Sequence, residues 1–144
     1  MSPIVSSIEI ARPPAEVYTY ATDPSHFAEW QRDVVSVRLE GSPLHVGTTF
    51  TTIRRIGGSQ RTMKQEVTEV VAHRHWASRG VDGPIRPSAS ITVEPLGGGA
   101  RSRVTFALDF EGHGLGVPLV PMVRRLAARG APASYRRLKE HLEA

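Results

Sequence analysis

Few residues of this 144-residue chain can do chemistry, and most of them sit among apolar neighbours. Arg54 lies in the β-branched run Thr48 to Ile56, with Thr52 two places before it. Gln65 lies between Met63 and Val67, and Ser78 follows Trp76 by two. In a strand, residues two apart share a face, so each polar group would stand beside a large apolar one. An inward Arg54 must meet a carboxylate, a ligand carbonyl or water, because an unpaired buried charge is costly. A slip of one residue would turn Ile53 inward and leave Arg54 on the surface, and the sequence admits both registers. An inward Arg54 or Gln65 could polarise a carbonyl and stabilise a developing oxyanion. Proton transfer needs an acid or base within hydrogen-bond reach. The same register puts no His, Asp or Glu firmly inside, leaving His113, a tyrosine or water.

Other constellations are weaker. His73 and His75 are spaced for one strand face, but no third ligand accompanies them and the Trp76 register turns both outward, so no metal site is expected. The run Gly112-His113-Gly114-Leu115-Gly116 departs from the dinucleotide fingerprint at Val117, and no further βα unit follows. It reads as a flexible loop at a cavity mouth, with His113 near the entrance. There is no cysteine, which removes disulfides, thiolate zinc sites and cysteine nucleophiles. A Gly-x-Ser-x-Gly elbow is absent, and no carboxylate pair suited to glycoside chemistry is evident. His26, His45 and His141 read as surface residues, and Tyr18 and Tyr20 as packing for the first helix.

The elements that would position these groups follow from periodicity. Ile4, Ser6, Ile8 and Ile10 alternate with Val5, Ser7 and Glu9, a strand with one buried face. Two short helices are expected next. Pro13 and Pro14 open the first, and Asp23 caps the second with Pro24 at its first position. Six further strands are expected: Val34 to Leu39, Thr48 to Ile56, Arg61 to Val71, His75 to Gly80, Ala89 to Pro95 and Arg103 to Glu111. Pro84 and Pro87 are expected to break the chain before Ala89. Hairpin-length links join most of the later strands, which favours an antiparallel sheet. The last segment changes period: Leu119, Val123, Leu126, Tyr135, Leu138 and Leu142 form one apolar stripe with arginines opposite. Gly130 and Pro132 predict a kink or short break in that helix. Its greasy face needs a partner, and the concave face of the sheet is the one left.

Charge and length narrow the class. Residues 1–114 hold twelve basic and twelve acidic side chains, so the net charge of +4 comes entirely from residues 115–144. Basic residues confined to one helix face suit a solvated surface better than a nucleic-acid footprint. The length suits a single domain, 1–144, with a core that needs no staple. Met1-Ser2-Pro3 runs directly into the first strand without a basic leader, and no apolar run could span a bilayer, so a cytoplasmic protein is expected.

The order strand, two short helices, six strands and long helix resembles the helix-grip fold of the START-like, Bet v 1-like (SRPBCC) superfamily. The polyketide cyclase/dehydrase and lipid-transport group within it is the nearest in pattern. The resemblance is carried by Ile8-Glu9-Ile10, Pro14-Ala15-Glu16-Val17-Tyr18-Thr19-Tyr20, Asp23-Pro24 and Trp30. Val46-Gly47-Thr48, Val67-Thr68-Glu69-Val70 and Arg137-Leu138-Lys139 add to it. It implies an α+β domain in which a seven-stranded curved antiparallel sheet wraps the C-terminal helix around a cavity. No shared catalytic motif can be matched, so it implies no catalytic residue.

On these grounds the expected lining is Trp30, Phe50, Thr52, Arg54, Met63, Gln65, Trp76, Ser78, Ile91, Phe106, Leu119, Met122, Val123 and Leu126. A mostly apolar wall with a few polar groups is the usual make-up of a small-molecule site. The first expectation is binding or transport of a hydrophobic molecule such as a lipid, quinone or polyketide. The second is a polyketide aromatase/cyclase or dehydratase acting in the same cavity, and the third a regulator that engages another protein through the basic helix face, which includes Arg125 and Arg129, or through loop 112–116. No cofactor, nucleic acid or membrane span is expected, and the assembly is a monomer or homodimer.

Overall fold

The computed structural model describes residues 3–144. Met1 and Ser2, read above as leading into the first strand, lie outside the described residues. Seven strands form one antiparallel sheet in the order β1-β7-β6-β5-β4-β3-β2. They are β1 Ile4–Ile10, β2 Val34–Glu40, β3 Thr49–Ile56, β4 Ser59–Val71, β5 His75–Asp82, β6 Ile85–Leu96 and β7 Arg101–Gly112. The helices are α1 Pro14–Ala21, α2 Phe27–Trp30 and α3 Val120–Glu143, with a 3-10 turn at Pro24–His26 before α2 and another at Gly114–Leu119 before α3. The first and last strands are joined directly, with Ile4 opposite Leu108 and Ile10 opposite Ser102. Because β1 and β2 lie on opposite edges, α1 and α2 must cross one end of the sheet.

Local chemistry sets most boundaries. Pro14 stands at the first position of α1, where no amide donor is required. Asp23 accepts a hydrogen bond from the Ser25 amide at 3.0 Å, capping the turn that Pro24 begins. Gly83, at φ +93, turns β5 into β6. Curvature comes from irregular pairing, with register shifts between Val34 and Ser36, between Lys64 and Gln65, and between Val67 and Glu69. An extra residue on one strand bends it and increases its twist, so these bulges help curl the sheet around α3.

One expectation fails here, and of the kink or break allowed for in the last helix the break is absent. Pro87 does not interrupt the chain, because β6 begins at Ile85 and includes it. Pairing of β6 with β5 extends only from Thr92 to Ser88, so Pro87 is spared a ladder that needs its missing donor on that side. Helix α3 also runs unbroken through Gly130 and Pro132. The apolar stripe on both sides of Pro132 packs on the sheet, and tertiary packing outweighs the lost hydrogen bond.

The interior divides in two. A large cluster centres on Trp30, Phe27, Phe50, Trp76, Val67 and Phe106 and is closed by Leu138 and Leu142 of α3. A smaller one joins Ile56, Met63, Ile85 and Val123. Among the described residues no helix is long and apolar enough to cross a membrane.

Candidate ligand-binding site

Between the two clusters lies a cavity of about 360 Å³. Its sheet wall is Gln65 of β4, Trp76 and Ser78 of β5, Pro87, Ala89 and Ile91 of β6, and Phe106, Leu108 and Phe110 of β7. Its helix wall is Val123, Leu126, Ala127, Gly130, Ala131, Ser134 and Tyr135 of α3. Phe27 and Trp30 of α2 close the inner end. The outer end is framed by the link Gln31-Arg32-Asp33 and by Arg54, Arg55, Ile56 and Gly57 at the end of β3, of which Arg32, Arg55 and Gly57 are exposed.

The frame is fixed by backbone bonds. Ser134 Oγ accepts from the Arg32 amide at 3.0 Å, which ties the link to α3. The Asp33 carbonyl accepts from the Arg55 amide at 2.7 Å, which ties it to β3. Arg54 faces inward, with its side chain 14% exposed, and donates through Nη1 to Gln31 Oε1 at 2.8 Å and Asp33 Oδ2 at 3.2 Å. Of the two registers the sequence allowed, the inward one is observed, with a carboxylate as partner.

Three buried polar atoms in this wall have no partner: Trp30 Nε1, Gln65 Oε1 and Arg54 Nε. Gln65 uses its amide nitrogen on Ser78 Oγ at 3.1 Å, which leaves the carbonyl oxygen free. Buried polar groups are normally satisfied, and leaving one unmade costs about 1–3 kcal/mol. Tyr135 stacks on Phe106 with ring centroids 3.8 Å apart. Its phenol is pushed up to about 12, first by burial and then by the Asp33 carboxylate, against the opposing Arg54 charge.

Nine of the fourteen expected residues line this cavity: Trp30, Arg54, Gln65, Trp76, Ser78, Ile91, Phe106, Val123 and Leu126. Five do not, and packing explains each. Phe50 faces inward but is covered by Phe27, whose ring meets it edge-on at 5.9 Å. Thr52 is fully buried and donates to the Met63 carbonyl at 3.4 Å. Met63 is consumed by the smaller cluster, and Leu119 packs against that cluster from the 3-10 turn. Met122 is 43% exposed, because α3 starts only at Val120 and Val120 and Val123 take the inward phase.

The 112–116 segment likewise does not form the cavity mouth. His113 pairs with Glu111 at 3.1 Å, its amide bonds the Pro84 carbonyl at 2.8 Å, and Gly116 is buried. No residue of that segment lines the cavity. His75 faces away from it, bonded to Glu69 at 2.8 Å and Thr92 at 2.9 Å. Asp33 was missed as a lining carboxylate, as were Tyr135 and the small residues of α3. The signal for the last was present: Ala127, Gly130, Ala131 and Ser134 recur at helical spacing within the stripe.

Comparison with known proteins now decides the family. The family described as polyketide cyclase / dehydrase and lipid transport matches residues 1–143. The chain belongs to that family. Among solved structures, a START superfamily protein from Mycobacterium smegmatis is similar at TM-score 0.81 and 16% identity, covering 99% of this chain and 98% of its own. An aromatase/cyclase from Streptomyces sp. R1128 is similar at TM-score 0.78 and 15% identity, covering 98% and 93%. The di-domain aromatase/cyclase of the BE-7585A biosynthetic pathway gives TM-score 0.74 and 16% identity, with 99% of this chain matched to 47% of that one. These likenesses establish the helix-grip, START-like fold of the polyketide cyclase/dehydrase and lipid-transport family. No curated protein matches the chain.

Proposed function

We propose that the chain binds or carries a hydrophobic small molecule in the cavity beneath α3. The observation that carries this reading is the cavity itself: about 360 Å³ walled mainly by aromatic and aliphatic groups. Ligand sites of this kind hold their molecule by shape and burial and orient it with a few polar atoms. Removing a few hundred Å² of apolar ligand surface from water contributes on the order of 5–10 kcal/mol before association costs. Native mass spectrometry of gently purified protein is expected to reveal a copurified small molecule. Otherwise, members of a lipid, quinone and polyketide panel are expected to raise the melting temperature. An empty protein unmoved by the whole panel would defeat the reading.

A cyclase or dehydratase is the second reading, and Asp33 is the observation that favours it. Its carboxylate lines the cavity beside Arg54, supplying the proton acceptor that the sequence left unplaced. In such a site the wall would fold a poly-β-ketone so that a carbanion carbon meets a carbonyl polarised by Arg54. A reactive polyketide analogue that cyclises no faster with protein than without would remove this reading.

A further inference from the structure

We propose that the tip formed by the 3-10 turn Gly114–Leu119 and the start of α3 docks on an anionic lipid bilayer. The inference goes beyond the cavity reading and does not depend on it. Leu115 is the most exposed large apolar side chain among the described residues, at 90%, and Val117 and Met122 stand close by in the chain at 58% and 43%. Pro118 and Pro121 between them are also exposed. None of these five lines the cavity. Single exposed apolar residues are ordinary, but a contiguous patch beside charges of one sign marks an interaction surface.

The charge here is of one sign. From Gly112 to Lys139 the chain holds no aspartate or glutamate. Met122, Arg125 and Arg129 recur at three- and four-residue steps, so they share one face of α3. Both arginines are exposed, and among the described residues neither has a carboxylate within ion-pair distance. Arg124, by contrast, is held by Asp109, and Glu111, the carboxylate just before the turn, is turned to His113. The two halves together choose the occupant. A few hundred Å² of apolar surface falls short of the roughly 800 Å² per partner of a stable protein interface, yet it suits shallow insertion at the headgroup boundary with cations alongside. Leu115, Val117 and Met122 enter the acyl boundary while Arg125 and Arg129 meet the lipid phosphates. The face also adjoins the cavity. Leu126, one turn beyond Met122, lines it, and its Cδ1 would lie 3.2 Å from a Cβ on Gly57 at the outer end.

Flotation with vesicles of phosphatidylcholine alone, and of phosphatidylcholine mixed equally with phosphatidylglycerol, tests this. The natural protein is expected to bind the mixed vesicles at least about tenfold more tightly, with the gap closing as salt is added. Arg125→Glu with Arg129→Glu is expected to erase that preference. Leu115→Ser with Met122→Ser is expected to weaken binding to the mixed vesicles at least about tenfold with the charge intact. All four positions are exposed, so both variants should keep the natural melting temperature, which separates loss of binding from loss of fold. Absence of binding to either vesicle, or binding that both variants leave intact, would overturn the proposal. So would a dimer of the natural protein that Leu115→Ser with Met122→Ser dissociates, since a second copy would then cover this face. Equal binding of soluble polyglutamate, insensitive to the apolar variant, would make the partner an acidic protein and overturn it as well. Cavity occupancy is read separately by the ligand panel, so neither result decides the other.

Discussion

Gln65 carries a polar atom that the buried interior leaves without a partner. It is 2% exposed, and its Oε1 accepts nothing. Gln65→Met keeps the volume and removes the unmet acceptor but also the donor to Ser78 Oγ, so the two effects offset and stability is expected to change by less than about 1 kcal/mol. Chemical denaturation checks this, and a loss of several kcal/mol would contradict the unmet acceptor, since the Ser78 bond alone accounts for about 1 kcal/mol. Trp76 behaves differently. It lines the cavity, but it also meets Phe27 and Phe50 and donates to the Pro43 carbonyl at 3.1 Å. Trp76→Ala is therefore expected to cost about 3–5 kcal/mol of stability and cannot isolate a binding role. Strand alternation in the sequence correctly paired Trp76 with Ser78 and Gln65 with Met63 on the inner face. What alternation cannot express is depth. Phe50 and Met63 point inward as expected, yet neighbours from other elements occupy the space in front of them.

At the scale of elements, the cavity exists because α3 presents small residues where its neighbours present large ones. Ala127, Gly130, Ala131 and Ser134 line the cavity between the bulkier Val123 and Leu138, leaving space beside the Tyr135–Phe106 stack. Reading a stripe by its large residues finds the helix but overlooks the gap in it. Ser134→Ala would remove the acceptor for the Arg32 amide, loosening the mouth link and costing about 1 kcal/mol. Faster amide exchange at residues 31–33 would reveal it, and unchanged exchange would deny the link's dependence on α3. The approach to α3 is closely packed at Gly116. A Cβ at Gly116 would lie 1.8 Å from the Pro84 carbonyl oxygen, so Gly116→Ala must move backbone and is expected to destabilise by more than about 2 kcal/mol. Glycine spacing in the sequence suggested flexibility at this segment. Close approach of two backbones is the actual reason for Gly116, and it depends on a contact no local pattern can show.

Across the whole molecule, alkaline pH tests how α3 is held. The folded state grips the Tyr135 proton more tightly than the unfolded chain does, since burial raises the phenol to about 12 from its ordinary value near 10. The resulting stability is fully present below about pH 10 and is lost as pH rises toward about 12. Burial raises Tyr18 in the same direction, and Tyr20 is raised by burial and its hydrogen bond to Glu29. Melting temperature should therefore fall from about pH 9 to about pH 11, and less steeply in Tyr135→Phe, which keeps the Phe106 stack. Identical slopes would mean that the Tyr135 phenol is not held in a dry site. The overall architecture was readable because each strand alternates and the long stripe changes period. The position of the void was not, because it is a difference between packed surfaces.

The central claim is that this void receives a ligand, and filling it is the most direct test. Ala89 lines the floor beside Ile91 and Ser78, so Ala89→Phe would place a ring in the cavity. Trp30 and Trp76, the two tryptophans of the chain, both line it and report on its contents. Titration of an apolar ligand panel should give a saturable change in tryptophan fluorescence in the natural protein. That change should disappear in Ala89→Phe while its melting temperature is maintained. A saturable response of equal affinity in both proteins would place the ligand elsewhere and contradict the account.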